Sequence, residues 1–212
     1  MTKRYYGIIL IVFLFFASRL YAAGSTEAPA HQLTDLLNQY QSMTAHFSQS
    51  VYDPKGRVVQ NSNGSMALLR PQSLRWQTQK PTDQLILTDG KTLWIYDKDL
   101  QQVTISQLLK KTGTTPAMLM TTSASDIQDS YEVSAYPSPK TEQVFQLTPK
   151  NKQADFEWVR FFFENKQLIK MQIHDNIGQL TSIDFSQLKI NPSLPKSLFH
   201  LTIPKDVDIV KE

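Results

Sequence analysis

Strict alternation of apolar and polar side chains in several segments is the feature that most limits how this chain can fold. In one segment, Val159, Phe161 and Phe163 are interrupted by mixed residues such as Arg160. Successive side chains of an extended strand point to opposite faces, so each such segment predicts a strand with one apolar face. A sheet built from these strands must cover that face with other apolar elements. The apolar sets are Val159, Phe161 and Phe163; Ile169, Met171 and Ile173; Ile183 and Phe185; and Phe199, Leu201 and Ile203.

Turn signals recur at short intervals between these segments. Examples are Asn63-Gly64, Asp89-Gly90 and Asn165-Lys166. Such close spacing favours an antiparallel meander of hairpins over a parallel α/β arrangement, whose crossovers need longer connections. Asp89 is accordingly interpreted as a turn residue and not as a catalytic carboxylate. The sequence predicts a mainly β domain (α+β class).

Two stretches of the chain are predicted to cover the apolar face of the sheet. Leu33, Leu36, Leu37 and Tyr40 recur at helical spacing, and residues 107–126 predict short helices, with Pro116 in a first turn. These elements could simply complete an ordinary core, which composition alone favours. Methionine, however, packs against many shapes, so a methionine-rich lid could also accept a lipid. The methionines and leucines concerned are Met43, Leu108, Leu109, Met118, Leu119 and Met120.

The N-terminus has the layout of a cleavable secretory signal. Lys3 and Arg4 precede an apolar run that is too short to span a membrane, and small residues follow at a plausible cleavage point after Ala22. An uncleaved anchor is the alternative, because Arg19 interrupts the end of the run. We therefore expect a signal peptide at 1–22, a flexible leader at 23–30 and one domain at 31–212.

Charge and cysteine content restrict the partners of the mature chain. Loss of Lys3, Arg4 and Arg19 with the signal leaves 22 minus 3 basic residues against 19 acidic ones, a net charge of zero. This balance gives no electrostatic reason to expect binding to nucleic acid. The chain has no cysteine, so neither a disulfide nor a thiol-linked lipid anchor is available.

No catalytic motif is visible in the sequence. The nucleophile elbow, the zinc-protease helix, the phosphate loop and the dinucleotide fingerprint are all absent. The four histidines, His31, His46, His174 and His200, lack the spacing of metal ligands. We expect a protein that is not an enzyme and that holds neither a metal nor a cofactor.

Three ordered motifs carry a resemblance to a known family. They are Gly64-Ser-Met-Ala-Leu-Leu-Arg70-Pro71 with Leu74-Arg-Trp76; Leu85-Ile-Leu-Thr-Asp89-Gly90-Lys91-Thr-Leu-Trp94-Ile-Tyr96; and Thr115-Pro116-Ala-Met-Leu119. In this order and with these gaps they resemble LolA, the periplasmic outer-membrane lipoprotein carriers. The likeness is strongest over residues 44–120, thins over 136–149 and returns over 199–210. The sister family, LolB, shares the fold but carries a lipidated N-terminal cysteine.

The resemblance implies an incomplete antiparallel β-barrel whose apolar concave face is capped by short α-helices. Arg70 matches the lid-locking arginine of the family, which hydrogen-bonds backbone carbonyls of the lid in the empty state. Leu74 and Trp76 are expected to line the cavity, although the family often has a bulkier residue at the position of Leu74. Trp94 and Tyr96 could either contact ligand or pack within the sheet. The remaining candidate lipid-binding residues are Met118, Leu119, Phe161, Phe163, Met171 and Ile173.

The resemblance also implies partners and a location. The cargo would be acylated lipoprotein, received from an inner-membrane ABC exporter of the LolCDE type and passed to an outer-membrane receptor of the LolB type. The protein would act as a monomer in the periplasm. The alternative is a periplasmic binding protein for another hydrophobic ligand on the same scaffold; an outer-membrane barrel and a hydrolase fit the sequence less well.

Overall fold

A computed structural model of the chain describes residues 28–108, 116–139 and 141–212. The predicted signal peptide, most of the predicted leader and Leu109 lie outside the described residues. The helices are α1 (Pro29–Asn38), α2 (Ala124–Ser130), the 3₁₀ helix Pro116–Thr121, here called the lid 3₁₀ helix, and a C-terminal 3₁₀ helix (Lys196–Phe199). The strands are β1 (Ser42–Tyr52), β2 (Val58–Leu69), β3 (Ser73–Gln79), β4 (Gln84–Asp89), β5 (Thr92–Asp97), β6 (Gln102–Gln107), β7 (Tyr131–Tyr136), β8 (Glu142–Pro149), β9 (Phe156–Glu164), β10 (Gln167–Asp175), β11 (Leu180–Ile190) and β12 (Asp208–Lys211).

All of these strands belong to one curved sheet that does not close. Its order is β12-β6-β5-β4-β3-β2-β1-β11-β10-β9-β8-β7, so β12 and β7 are the two edges. Neighbouring strands are antiparallel, except that β12 runs parallel to β6. The predicted mainly β fold, an incomplete antiparallel barrel, is confirmed.

The main core lies between the inner face of this sheet and α1 with the lid 3₁₀ helix, which are together called the lid elements. Alternation places Val159, Phe161 and Phe163 of β9 on that face, and each is 0 % exposed. Burying such side chains contributes about 1.5–3 kcal/mol each, so this face supplies much of the stability. The buried members of this cluster, here called the inner cluster, include Leu33, Leu37, Met43, Phe47, Met66, Leu68, Leu74, Trp76, Leu119, Met120, Phe145, Leu147, Val159, Phe161, Phe163, Leu168, Met171 and Ile183.

A β-bulge corrects the predicted inner face of β10. The pairing of β10 with β9 shifts between Leu168 and Lys170, so Ile169 is the extra residue. As a result Leu168 is buried at 2 % exposure, whereas Ile169 is only partly buried. Sequence alternation places Ile169 on the apolar face, and that prediction is wrong because a bulge changes the phase of the strand.

The C-terminal segment also differs from its prediction. The sequence predicts a strand over residues 199–203, but Phe199 ends the C-terminal 3₁₀ helix and Leu201 and Ile203 lie in irregular chain. These two residues pack on the outer face of β4–β6, against Leu87 and Trp94. Part of the sheet is therefore covered on both faces, whereas the sequence predicts one apolar face.

The covering elements themselves are only partly as predicted. Helix α1 begins at Pro29, two residues before the boundary expected between leader and domain. Residues 107–126 contain short helical elements as predicted: the lid 3₁₀ helix and the start of α2, which buries Ile127 in the inner cluster. Tight 3₁₀ turns are common as short connectors, and Pro116 begins this one.

Candidate functional site

The lid elements close over the inner face of the barrel. Helix α1 directs Leu33, Leu36 and Leu37 inward, at 0 %, 5 % and 1 % exposure, and the lid 3₁₀ helix buries Leu119 and Met120 at 5 % and 1 %. All five side chains contact the inner cluster. In this arrangement the apolar side chains of the lid occupy the space that faces the sheet, so an apolar guest could enter only by displacing them.

The predicted lipid-binding residues converge on this space. Leu74, Phe161, Phe163 and Met171 are fully buried and Trp76 is 5 % exposed. Met118 and Ile173 are partly buried and pack against the same cluster, which also includes Leu119. The structure therefore brings together the eight apolar residues named from the sequence: Leu74, Trp76, Met118, Leu119, Phe161, Phe163, Met171 and Ile173. By contrast, Trp94 lies on the outer face with Tyr96 packed beside it.

The predicted residue Trp76 belongs to an aromatic group whose other members, Phe47 and Phe185, were not named as part of the site. The rings of Phe47 and Trp76 stack with centroids 4.2 Å apart, and Phe185 meets Trp76 edge-on at 6.3 Å. The ring of Phe47 lies over Gly64 on β2, the residue directly opposite it in the ladder. The alternation of Ala45 and Phe47 in the sequence was the available signal for this inward position.

Arg70 connects the two lid elements to each other. It follows β2, and its guanidinium donates to the carbonyl oxygens of Leu37 (3.0 Å) and Tyr40 (3.0 Å) at the end of α1. It also donates to the carbonyl oxygen of Met120 (2.9 Å) in the lid 3₁₀ helix. Longer contacts reach the carbonyl oxygens of Thr121 (3.3 Å) and Thr122 (3.5 Å). Carbonyl oxygens at the C-terminal ends of short helices are natural acceptors for a cation.

Arg70 donates its hydrogen bonds to neutral groups in the described part of the chain. Within the described ranges every acceptor of its guanidinium is a neutral carbonyl oxygen. The side chain is half-buried, and this burial lowers the pKa of the Arg70 guanidinium. Charge-assisted hydrogen bonds are strong, but here the cost of desolvating the guanidinium opposes them. The net free energy of lid closure is therefore smaller than the strength of the hydrogen bonds alone.

Tyr40 connects the chain just after α1 to the hairpin between β9 and β10. Its side chain is 2 % exposed, and its hydroxyl donates to the Lys166 carbonyl oxygen (3.1 Å) and accepts from the Leu168 N–H (3.0 Å). Burial raises the pKa of the Tyr40 phenol, which the hydrogen bond from Leu168 partly opposes. From the sequence, Tyr40 was only one member of an amphipathic helix, because no local pattern predicts a contact between residues 128 positions apart.

Ionisable groups do not assemble into a metal site in the part of the chain that the structure describes. In the same part, no helix combines the length and hydropathy needed to cross a bilayer. What the site offers chemically is an apolar interior, a lid with an apolar underside and a cationic group holding the lid.

The sequence of this chain matches a known protein family. The family model "Outer membrane lipoprotein carrier protein LolA" matches residues 38–202. A protein of Coxiella burnetii (strain RSA 331 / Henzerling II) named outer-membrane lipoprotein carrier protein is 37 % identical over 205 residues, covering 96 % of each chain. One of the same name from Legionella pneumophila (strain Lens) is 39 % identical over 205 residues, covering 97 % of this chain and 98 % of the relative.

Solved structures also show a likeness. The crystal structure of a LolA superfamily protein from Nitrosomonas europaea has a TM-score of 0.46 and 15 % identity, covering 81 % of this chain and 97 % of that one.

Proposed function

Because the chain belongs to the LolA family of outer-membrane lipoprotein carrier proteins, we propose that it carries lipoproteins by enclosing their acyl chains between the sheet and the lid. The observation that carries the mechanism is the bridge from Arg70 to both lid elements above a continuous apolar face. The protein would act without chemistry, as a carrier and not as an enzyme.

The physical need for an enclosed interior follows from the cargo. Each buried CH₂ is worth about 0.8 kcal/mol, so a chain of about 16 carbons resists transfer to water by roughly 12 kcal/mol. A lipoprotein with several such chains cannot cross an aqueous compartment at a useful rate unaided. The inner face of this barrel would replace the membrane for the acyl chains during transit.

The closed lid makes this binding reversible. Acyl chains that enter must displace side chains such as Leu119 and Met120, each worth about 1.5–3 kcal/mol of burial, and must break the contacts of Arg70. Because the lid regains this energy on closing, the net affinity for lipid is lower than the apolar contact area suggests. A carrier tuned in this way can release its cargo without an energy source of its own.

We further propose the setting in which this carrier works. The predicted signal peptide at 1–22 directs it to the periplasm, where a monomer would receive lipoprotein from a LolCDE-type exporter and deliver it to a LolB-type receptor. The test is a release assay, in which proteoliposomes containing such an exporter and a tagged lipoprotein are given ATP and the purified mature protein. A soluble one-to-one complex is the expected product. If the lipoprotein stays in the membrane although the protein binds a fatty acid, the cargo is a different lipid.

Brominated fatty acid is expected to quench Trp76 and to leave the other two tryptophans unaffected. Trp76 lies in the inner cluster, Trp94 in the outer-face cluster, and Trp158 stacks on His174 at the surface of β9 and β10. Bromine quenches indole fluorescence only near contact. The measurement is a titration of three variants that each keep one tryptophan, the others being replaced by phenylalanine, with 9,10-dibromostearate.

The three single-tryptophan variants serve as controls for one another. Unbrominated stearate separates true quenching from a conformational change that alters emission. Quenching of Trp94 or Trp158 equal to that of Trp76 would place the acyl chain on the outer surface and contradict the proposed cavity.

A further inference from the structure

The two lid elements are attached to the barrel in different ways. Within the described residues, the lid 3₁₀ helix and Thr122 receive hydrogen bonds from another element only through Arg70. Their remaining hydrogen bonds are internal, from the Thr121 and Thr122 hydroxyls to the Met118 carbonyl oxygen and from the Thr122 N–H to that of Leu119. In the part of the chain that the structure describes, Arg70 is therefore the one side chain whose hydrogen bonds hold this element to the rest of the molecule.

The end of α1 is attached through several independent groups. Besides the Tyr40 hydroxyl, the side chain of Asn191 accepts from the Gln41 N–H (2.8 Å) and donates to the Gln39 carbonyl oxygen (3.1 Å). The Arg70 N–H donates to the Gln41 carbonyl oxygen (2.9 Å), and β1 begins at Ser42. None of these bonds involves the Arg70 guanidinium, so all of them would survive its displacement.

The contact of Tyr40 with β10 has a specific structural reason. The bulge after Leu168 interrupts the ladder between β10 and β9, and pairing of β10 with β11 begins only at Lys170. Leu168 is buried at 2 % exposure, and the Tyr40 hydroxyl is the acceptor for its N–H. A buried N–H left without an acceptor is costly, so the bulge and the tyrosine stabilise each other.

We propose that α1 stays docked on the barrel when the lid 3₁₀ helix moves away, and that Tyr40 is the positioning residue responsible. By fixing the end of α1, Tyr40 keeps the carbonyl oxygens of Leu37 and Tyr40 where the Arg70 guanidinium can return to them. Closure then requires the ordering of one short element and not of two. This inference rests on the proposed function, because it assigns the moving and the fixed parts of the same lid.

Hydrogen exchange of the wild-type protein tests the assignment of the moving part. Amide exchange of the mature protein is measured in two samples, one without ligand and one saturated with the fluorescent fatty acid 11-(dansylamino)undecanoate. We expect exchange of residues 118–122 to accelerate on binding while residues 33–41 stay protected. Joint acceleration of both segments would overturn the inference. Failure of the probe to bind at all would instead count against the acyl-chain cavity of the proposed function.

The variant Tyr40→Phe tests the positioning role. Loss of the hydroxyl is expected to accelerate exchange of the Leu168 amide about tenfold, because its acceptor is gone. It should also tighten probe binding several-fold in the wild-type background. In an Arg70→Leu background it should leave probe binding unchanged, because there is no guanidinium for the carbonyl oxygens at the end of α1 to accept from. Tyr131→Phe is the matched control, because Tyr131 packs against the same cluster and stacks on Phe156.

A purely structural tyrosine would give a different pattern. It would lower thermal stability and change probe affinity equally in the two backgrounds. Equal effects of Tyr40→Phe with and without Arg70, or equal effects of Tyr40→Phe and Tyr131→Phe, would overturn the positioning role.

Discussion

The variant Arg70→Leu is expected to bind acyl chains more tightly than the wild-type protein and to lose delivery to the receptor. Leucine keeps apolar bulk at the site but removes every hydrogen bond that the guanidinium donates to the lid. Loss of these contacts should weaken lid closure by about 3 kcal/mol, which corresponds to roughly a hundredfold in probe affinity. In a release assay the variant should still form the soluble complex with lipoprotein, because accepting cargo requires only an open lid.

Delivery by this variant fails for an energetic reason. In the wild-type protein, closure of the lid compensates for part of the acyl burial that is lost on release. Without Arg70 that compensation is smaller, so cargo remains on the carrier when receptor-containing liposomes are added. The measurement is the fraction of lipoprotein that pellets with those liposomes over time, expected to fall by at least about tenfold.

Arg75→Leu provides the matched control for this prediction. Arg75 lies on β3, is also half-buried with a pKa lowered by burial, and donates to the Gln77 side-chain oxygen at 3.2 Å, away from the lid. The control should deliver lipoprotein normally. Equal loss of delivery in both variants would mean that burial of an arginine, and not the bridge to the lid, is responsible. If Arg70→Leu delivers lipoprotein as well as the wild-type protein does, the hydrogen bonds from Arg70 to the lid have no role in delivery.

Alternation predicted the inner face well because it follows directly from strand geometry. Phe161, Phe163 and Met171 could be placed from their spacing alone, since a period of two leaves a single choice of face. The position of Arg70 at the end of a strand could be given a role only through the resemblance. Alternation fails where the period is broken, and the bulge at Ile169 is invisible in a single sequence because Leu168 and Ile169 are both apolar and either could face inward.

Contacts between distant parts of the chain could not be predicted either. Residues 199–207 cross the outer face because they pack against apolar side chains of β4 and β5. From the sequence alone, these side chains could equally be assigned to the inner face. The hydroxyl of Tyr40 satisfies an N–H exposed by the bulge, so it could be found only once the bulge was known. In each case the local pattern was consistent with two arrangements, and tertiary packing selected one.

Gly64→Ala is expected to destabilise the protein by about 3 kcal/mol and to lower the melting temperature by about 10 °C. A methyl group on Gly64 would overlap the Gln77 carbonyl oxygen on β3 and the Cζ of Phe47, and would lie 2.8 Å from the Phe47 Cε1. The carbonyl belongs to the β2–β3 ladder, where Ser65 lies opposite Gln77, so it cannot retreat without disrupting pairing. Urea denaturation of the mature protein gives the change in the free energy of unfolding.

Whether Gly64→Ala lowers or raises the free energy of unfolding distinguishes a steric clash from an effect on the entropy of the unfolded chain. Replacing a strand glycine by alanine ordinarily stabilises by about 0.5–1 kcal/mol, because the unfolded chain loses freedom. Gly64 has no positive φ to oppose the change, so a loss of stability must come from the close approach of Phe47 and Gln77.

Two further variants sharpen the test. Ser62→Ala, two residues earlier on the same strand, removes a buried hydroxyl without a hydrogen-bond partner in the described structure and should leave stability nearly unchanged. Adding Phe47→Leu to Gly64→Ala relieves the contact with the ring but not the one with the carbonyl, so it should restore only part of the loss. If Gly64→Ala is neutral or stabilising, Phe47 does not lie flat on β2, and the stack of Phe47 with Trp76 does not form the centre of the cavity.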